Sequence, residues 1–488
     1  MPSRIHFDPS HEYDANRVLM IACAFPPTGG PGVQRTVKFV KYLPDHGWQP
    51  TVWTAPPLAG LPRDDSLVGD IPSGVGIQRF AGEGAGDVTL GALRRVSSSP
   101  GWLGSVAQAL ERRLTVRRKS RLFPDDRITW ASRSLKPVLS LIERNRPRVI
   151  YSTFSPASNH WLALEVKQRT GLPWVADFRD LWTDDYRYVE GNAALGRADR
   201  ELEQRILETA DAIIGVTPRQ TSILASHVPG AGHKFFTITN GFDCDDFAGD
   251  PFDTTFPAQG MTSDRPYVIS HIGRLDRWRA VESFFRGLEM FGEGVGREER
   301  NIVFRVVGHV GSEVTARLRA SGLTIEIIGY VPHRVAIHHM READLLLLNV
   351  PDGPNADSVI PAKLFEYLAS MRPILVIGPE NNEAARIVRE CGAGWDVGFD
   401  AKEIGAAFER AYLGWRGGCK QPVCPRDRLE EFGRKGLARR LATIFEQVLL
   451  GGSRQVAAQS LLSDAQMVAC CTLGPTKPNV PRTLVSSS

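Results

Sequence analysis

Arg17-Val-Leu-Met-Ile-Ala-Cys-Ala-Phe25 runs directly into Pro-Pro-Thr-Gly-Gly-Pro-Gly32, and Val33, Val37, Val40 and Leu43 then recur at helical spacing. An unbroken apolar run suits a strand covered on both faces, whereas a strand with one wet face would alternate. Pro50-Thr-Val-Trp-Thr54 reads as the next strand. Strand, glycine loop, helix and strand make a βαβ unit, whose crossover requires parallel neighbours. The fold class this dictates is α/β.

The alternation continues. Arg148–Thr153, Trp174–Asp177 and Ala212–Val216 read as strands separated by helices, up to about residue 240. The polar, Pro- and Gly-bearing stretch 251–265 reads as a linker. A second series follows, with strands at Tyr267–Ile272, Ile302–Val307, Thr324–Ile328, Leu345–Asn349 and Pro373–Ile377. A single core stops growing at roughly 250–300 residues, so 488 residues imply two. The expected division is a domain over 1–250, the linker, a domain over 266–425, amphipathic helices over 426–450, and a Ser- and Pro-rich tail over 451–488.

Composition excludes several classes. With 59 basic against 55 acidic residues the net charge is only +4, far from the field of a dedicated nucleic-acid binder. The seven cysteines are scattered and odd in number, which suggests neither a disulfide framework nor a zinc site. No stretch approaches the ~18 apolar residues of a spanning helix, and the opening Met-Pro-Ser-Arg lacks a leader pattern. The expected location is the cytoplasm.

Gly29, Gly30 and Gly32 stand where a strand meets a helix N-terminus. Glycine there lets backbone N–H groups approach an anion that the helix dipole favours, although a tight turn alone also calls for glycine. His271-Ile-Gly-Arg-Leu-Asp-Arg-Trp-Arg279 puts Arg274, Arg277 and Arg279 on a loop after a strand. Asp177, Arg179 and Asp180 also follow a strand, and doubly wound sheets bind ligands at the carboxyl ends of their strands. These three either orient a ligand hydroxyl or pair with one another.

Taken whole, Phe25 to Trp48 resembles the opening of bacterial family 4 glycosyltransferases of the GT-B architecture. Phe154-Ser-Pro-Ala-Ser-Asn-His160 with Gly171 to Trp182 is similar to that family's acceptor-side core, and Ile238-Thr-Asn-Gly-Phe-Asp243 resembles its hinge signature. The resemblance spans roughly residues 17–450. It implies two Rossmann-like domains facing across a cleft, and retaining transfer from a nucleoside-diphosphate sugar without metal or cofactor.

The same resemblance assigns residues. Arg274 and Arg279 take the places of the two cations that grip the donor diphosphate, and a guanidinium can chelate phosphate oxygens and stabilise the leaving group. Ile360 to Pro373 resembles the second half of the family's E-x7-E motif; Glu366 then accepts the ribose hydroxyls, with Lys363 and Leu364 beside it on the donor side. The first glutamate falls at Ser358, a departure for which adjacent Asp357 is the available substitute. His160 is the candidate catalytic side chain near the reacting carbon, and Asp177, Arg179 and Asp180 belong to the acceptor side.

Trp102 to Phe123 carries Leu103, Val106, Leu110 and Leu114 at helical spacing beside Arg112, Arg113, Arg117, Arg118, Lys119 and Arg121. That pattern suits a helix lying on an anionic membrane, or equally a surface helix packed on its own domain. A glycan or lipid-linked acceptor is the expected second substrate, in cell-surface polysaccharide or glycolipid synthesis. The rival readings are a nucleotide-sugar epimerase of the same architecture and a non-catalytic sugar-nucleotide binder, the latter motivated by Ser358.

Overall fold

A computed structural model describes residues 16–57, 63–82, 122–188, 193–247, 265–275, 281–294 and 301–451. The strands are β1 Asn16–Ile21, β2 Trp48–Thr54, β3 Gly76–Arg79, β4 Val149–Phe154, β5 Trp174–Phe178, β6 Ala212–Gly215, β7 Phe235–Thr237, β8 Tyr267–Ile272, β9 Ile302–Val307, β10 Thr324–Ile327, β11 Leu345–Asn349, β12 Ile374–Ile377 and β13 Gly394–Val397. In the first half the helices are α1 Pro31–Tyr42, α2 Ile128–Asn145, α3 Ala157–Thr170, α4 Ala193–Thr209, α5 Pro218–Ser226 and α6 Cys244–Phe247. The second half adds α7 Glu282–Gly294, α8 Ser312–Ala320, α9 His333–Glu342, α10 Lys363–Ala369, α11 Glu383–Glu390, α12 Ala401–Arg416, α13 Arg426–Glu430 and α14 Arg434–Leu449.

These strands form two sheets, ordered β3-β2-β1-β4-β5-β6-β7 and β10-β9-β8-β11-β12-β13. Neighbouring strands pair in parallel, as in β1 with β2 and β4, and β8 with β9 and β11. Strand order reverses between β1 and β4 in the first sheet and between β8 and β11 in the second. A crevice opens at the carboxyl ends of strands at such a reversal, because the two flanking connections leave in opposite directions. The loops after β1, β4, β8 and β11 are therefore the ones positioned to hold a ligand.

The runs read as buried strands are buried. Val18, Met20, Ile21, Ile150 and Tyr151 are inaccessible in the first sheet, as are Leu345, Leu346, Leu347 and Leu348 in the second. Three short strands, β3, β7 and β13, escaped the sequence reading. Each spans three or four residues, and none carries a fully buried run. The first strand ends at Ile21, not Phe25, because the chain turns there, with Thr28 N–H donating to the Phe25 carbonyl at 3.1 Å.

α14 belongs spatially to the first sheet although it is the last helix described. Leu437, Ala438, Leu441, Ile444 and Phe445 repeat at helical spacing and join Val18, Met20, Val37, Trp48 and Tyr151 in one core. Phe445 meets Trp48 edge-on with ring centroids 4.9 Å apart. A buried side chain of that size contributes roughly 1.5–3 kcal/mol, so this helix clamps the two halves together. On entering α14 the chain also pins the segment Ile238–Asp243: Phe242 N–H donates to the Phe432 carbonyl at 3.1 Å, and Arg434 N–H to that of Phe242 at 2.9 Å.

Residues 251–264, most of the expected linker, and the tail from 452 onward lie outside the described residues, as does nearly all of the arginine-rich segment 102–123. Among the described residues no helix is long and apolar enough to cross a membrane.

Candidate functional site

The loop after β1 leads into α1 through Gly30, whose φ of 121° is a conformation that L side chains rarely adopt. At Gly32 a Cβ would lie 1.7 Å from Arg179 Nη1, so only glycine lets that guanidinium lie against the loop. Arg179 is held there by its Nε–H, which donates to the Phe154 carbonyl at 2.7 Å, and by Nη2, which donates to that of Ser155 at 3.3 Å. Gly29, Gly30, Gly32 and Arg179 thus share one wall, at the ends of β1 and β4. Asp180 is half-buried beside them, 3.6 Å from Arg187, and burial pushes its carboxyl up.

Asp177 is elsewhere. It is fully buried in a bidentate pair with Arg35, at 2.8 Å to Nε and 2.9 Å to Nη2, and Tyr151 donates to it from below. Arg35 also donates to the carbonyls of Ile238 and Thr239 at 3.0 and 2.8 Å. The expectation that Asp177 faces an acceptor is corrected: its oxygens are consumed by Arg35 and Tyr151, which fastens α1 to β5, and it has no exposed surface.

His160 also departs from expectation. It is fully buried, with Nδ1 2.7 Å from Ser152 Oγ and its ring beside Phe154, Trp174 and Phe178. Nε2 has no partner among the described residues. Burial, opposed only by Asp177, drives its pKa down to about 3, so the ring is neutral. It stands behind Phe154 instead of lining an open cleft.

The opposing wall comes from the second sheet. After β8, Arg274 is exposed, and its carbonyl lies 3.3 Å from His271 Nε2. Lys363, at the start of α10, places Nζ 3.0 Å from that same nitrogen and donates to the Ile272 carbonyl at 2.7 Å. One cation on α10 is therefore docked on the end of β8, two residues before exposed Arg274. Arg277 and Arg279 lie outside the described residues. The Leu364 side chain is fully buried in the core and its N–H donates to the Pro361 carbonyl at 2.9 Å, so it does not line the wall as expected.

Glu366 is partly exposed, and its Oε1 accepts from His333 Nε2 at 2.7 Å. Ser358 is buried; its hydroxyl donates to the Asn355 carbonyl at 2.6 Å and its carbonyl accepts from Thr217 of the first half at 3.1 Å. Asp357 pairs across the same seam with Arg219 at 2.7 Å. The position of the first motif glutamate is thus spent on joining the halves, together with Asn355, which donates to the Asp184 carbonyl at 3.0 Å.

Sequence reading missed the polar stripe of α1. Lys38 Nζ contacts Asp243, Asp70 and Asp246 at 2.6, 2.8 and 3.0 Å, and Lys41 contacts Asp243 at 2.8 Å. Burial alone would raise the Asp243 carboxyl, but Lys38, Lys41 and Tyr42 outweigh it and hold it at about 2. Asp70, Asp243 and Asp246 bring ligand atoms within 4.8 Å of one another, and the ammonium of Lys38 lies between them. The signal for this stripe was Arg35, Lys38 and Lys41 recurring every three residues along the helix.

Residues 29–241 match the family model described as a glycosyl transferase 4-like domain. No curated protein matches the sequence. The sucrose-phosphate synthase of Thermosynechococcus elongatus superposes with a TM-score of 0.60 at 13% identity, covering 89% of this chain and 99% of that one. The Anabaena protein HepE, solved with UDP and glucose, gives 0.55 at 14%, covering 88% and 100%. An E. coli trehalose-6-phosphate protein bound to UDP-2-fluoro glucose gives 0.55 at 12%, covering 88% and 99%. Two parallel sheets with flanking helices, matched over 88–89% of this chain by these structures, give the chain the GT-B fold.

Proposed function

We propose that the protein is a glycosyltransferase that moves a sugar from a nucleoside-diphosphate donor to an acceptor hydroxyl with retention, in cell-surface polysaccharide or glycolipid synthesis. The observation that carries this reading is the cationic end of β8, where Lys363 docks on the Ile272 carbonyl beside exposed Arg274. A diphosphate seated there meets fixed positive charge as its own charge grows on bond cleavage. Such preorganised donors act most strongly in the transition state. Arg279 is assigned to the same group by the family resemblance, and these side chains supply the neutralisation that a metal ion would otherwise give.

Glu366, three residues after Lys363, takes the ribose hydroxyls in this reading. Gly29, Gly30 and Gly32 offer the donor an anion-binding loop at the start of α1, the acceptor enters beside Arg179 and Asp180, and the leaving phosphate takes the acceptor proton in a same-face attack. His160, held by Ser152 behind Phe154, acts by supporting the turn after β4. The neighbours solved with UDP or a UDP-sugar support a nucleotide donor. The protein works in the cytoplasm, with the arginine-rich segment 102–123 holding the acceptor side at an anionic membrane surface.

A thermal-shift panel of nucleoside diphosphates and nucleotide sugars tests the donor claim. A ligand at a hundred times its Kd stabilises the folded state by ~2.7 kcal/mol. A rise in melting temperature with one nucleotide series supports the reading, and a flat response to all of them sinks it.

A further inference from the structure

Glu366 is one end of a chain of charges that leaves the second half of the molecule altogether. Its Oε1 accepts from Nε2 of His333, the first residue of α9, at 2.7 Å. The other ring nitrogen, Nδ1, lies 3.8 Å from Asp246 Oδ2 on α6, just beyond the hinge segment. Both oxygens of Asp246 accept from Lys38 Nζ at 3.0 Å, and Lys38 stands on the helix that follows the glycine loop. The side chains of His333, Glu366, Asp246 and Lys38 are only 13, 15, 20 and 3% exposed, so water screens this chain weakly.

A cation in the first turn of a helix opposes the macrodipole, so carboxylates must hold it there. The charged groups that face His333 are Glu366 from α10, Asp246 from α6 and Lys38 from α1, while Arg434 from α14 acts on both carboxylates. Burial works against the charged ring; Glu366 and then Asp246 outweigh it and raise its pKa to about 9. The imidazolium is thus present below that pH and lost above it.

We propose that His333 is a positioning residue for the donor: by bridging Glu366 and Asp246 it fixes the ribose-binding carboxylate and ties donor binding to the hinge. The inference rests on the ribose reading of Glu366. A carboxylate offers about four lone-pair sites, so an imidazolium on one oxygen leaves room for both hydroxyls of a vicinal diol. Without His333 the Glu366 side chain is free to turn away, and the diol must then pay to order it.

The test is calorimetric titration of UDP, GDP and ADP into the full chain and into His333→Gln, His333→Arg, Glu366→Gln and the His333→Gln/Glu366→Gln double variant, at pH 7. For the nucleotide that binds, Glu366→Gln and His333→Gln are each expected to weaken affinity about tenfold, the scale of one charge-assisted contact. The double variant is expected to bind no worse than Glu366→Gln, since His333 acts through that carboxylate. His333→Arg, a permanent cation, is expected to bind at pH 7 as the natural chain does. Thermal melts at pH 7 within a few degrees of the natural chain exclude unfolding as the cause.

Wild-type affinity in His333→Gln, losses that multiply in the double variant, or a His333→Arg variant as weak as His333→Gln would each overturn the inference. Glu366→Gln binding like the natural chain would instead remove the ribose reading, and the inference with it. Failure of the natural chain to bind any of the three nucleotides has the same consequence.

Discussion

Arg35→Met removes one buried cation and leaves its partners in place, which makes it the sharpest perturbation of the frame around the site. Arg35 and Asp177 have no exposed side-chain surface. The substitution deletes two donors to Asp177 and the donors to the carbonyls of Ile238 and Thr239, and leaves the Asp177 carboxylate with only the Tyr151 hydroxyl among these partners. Stranding one member of a buried ion pair costs about 3–5 kcal/mol. For a folding unit of 150–250 residues each kcal/mol lowers Tm by roughly 2–4 °C, so a fall of roughly 6–20 °C is expected. Adding Asp177→Asn neutralises the stranded charge while keeping an acceptor for Tyr151, and should restore about 2 kcal/mol. The assay is calorimetric melting, followed as the transition that also shifts in Phe445→Ala. A fall below about 3 °C, or a double variant no more stable than Arg35→Met, would refute the claim that this pair holds α1 to the hinge.

Further outcomes follow from the same structure. Arg274→Ala should cut turnover by about 10² with little change in melting temperature, because the residue is exposed and its proposed contact is made with the leaving phosphate; near-normal turnover removes it from the mechanism. Glu366→Gln should raise the donor KM more than it lowers kcat, since a ribose contact is similar in ground and transition states, and the reverse pattern in steady-state kinetics moves Glu366 to the reacting centre. Glu203 is buried against Thr183, and burial raises its carboxyl pKa from 4.5 to about 7. A raised carboxyl favours the folded state below its unfolded pKa and loses that contribution as pH rises through 7, so Glu203→Gln should raise Tm at pH 8 by the equivalent of about 3 kcal/mol and leave pH 4 unchanged. Co-sedimentation with anionic liposomes at low and high salt tests the membrane proposal: binding should fall with salt and on changing Arg112, Arg113, Arg117 and Arg118 to Gln, and indifference to both would contradict it.

The fold was largely legible because buried parallel strands write continuous apolar runs. Leu345 to Asn349 and Tyr267 to Ile272 could be read for that reason; the equally short and exposed β10 still shows the alternation Thr-Ile-Glu-Ile, whereas β3, β7 and β13 carry neither a buried run nor a clean alternation. Site residues divided along a different line. Positions fixed by backbone need, such as Gly32 under the Arg179 guanidinium, were visible as residue types in a loop. Charge partners were not: nothing local distinguishes Asp177, buried against Arg35 142 residues away, from an acidic residue facing ligand. The pairing of His333 with Glu366 and the seam of Asp357 with Arg219 were hidden for the same reason, since each joins elements that only the folded chain brings together.

The central claim is tested most directly by turnover of the donor itself. The purified chain is incubated without acceptor with UDP-, GDP- and ADP-sugars, and the sugar and nucleotide products are resolved by NMR. The account predicts slow release of a nucleoside diphosphate and a free sugar from one donor series, with the new hydroxyl first appearing in the configuration of the donor bond, and a loss of about 10² in Arg274→Ala. Recovery of an isomerised nucleotide sugar, or no turnover of any donor that binds, would contradict it.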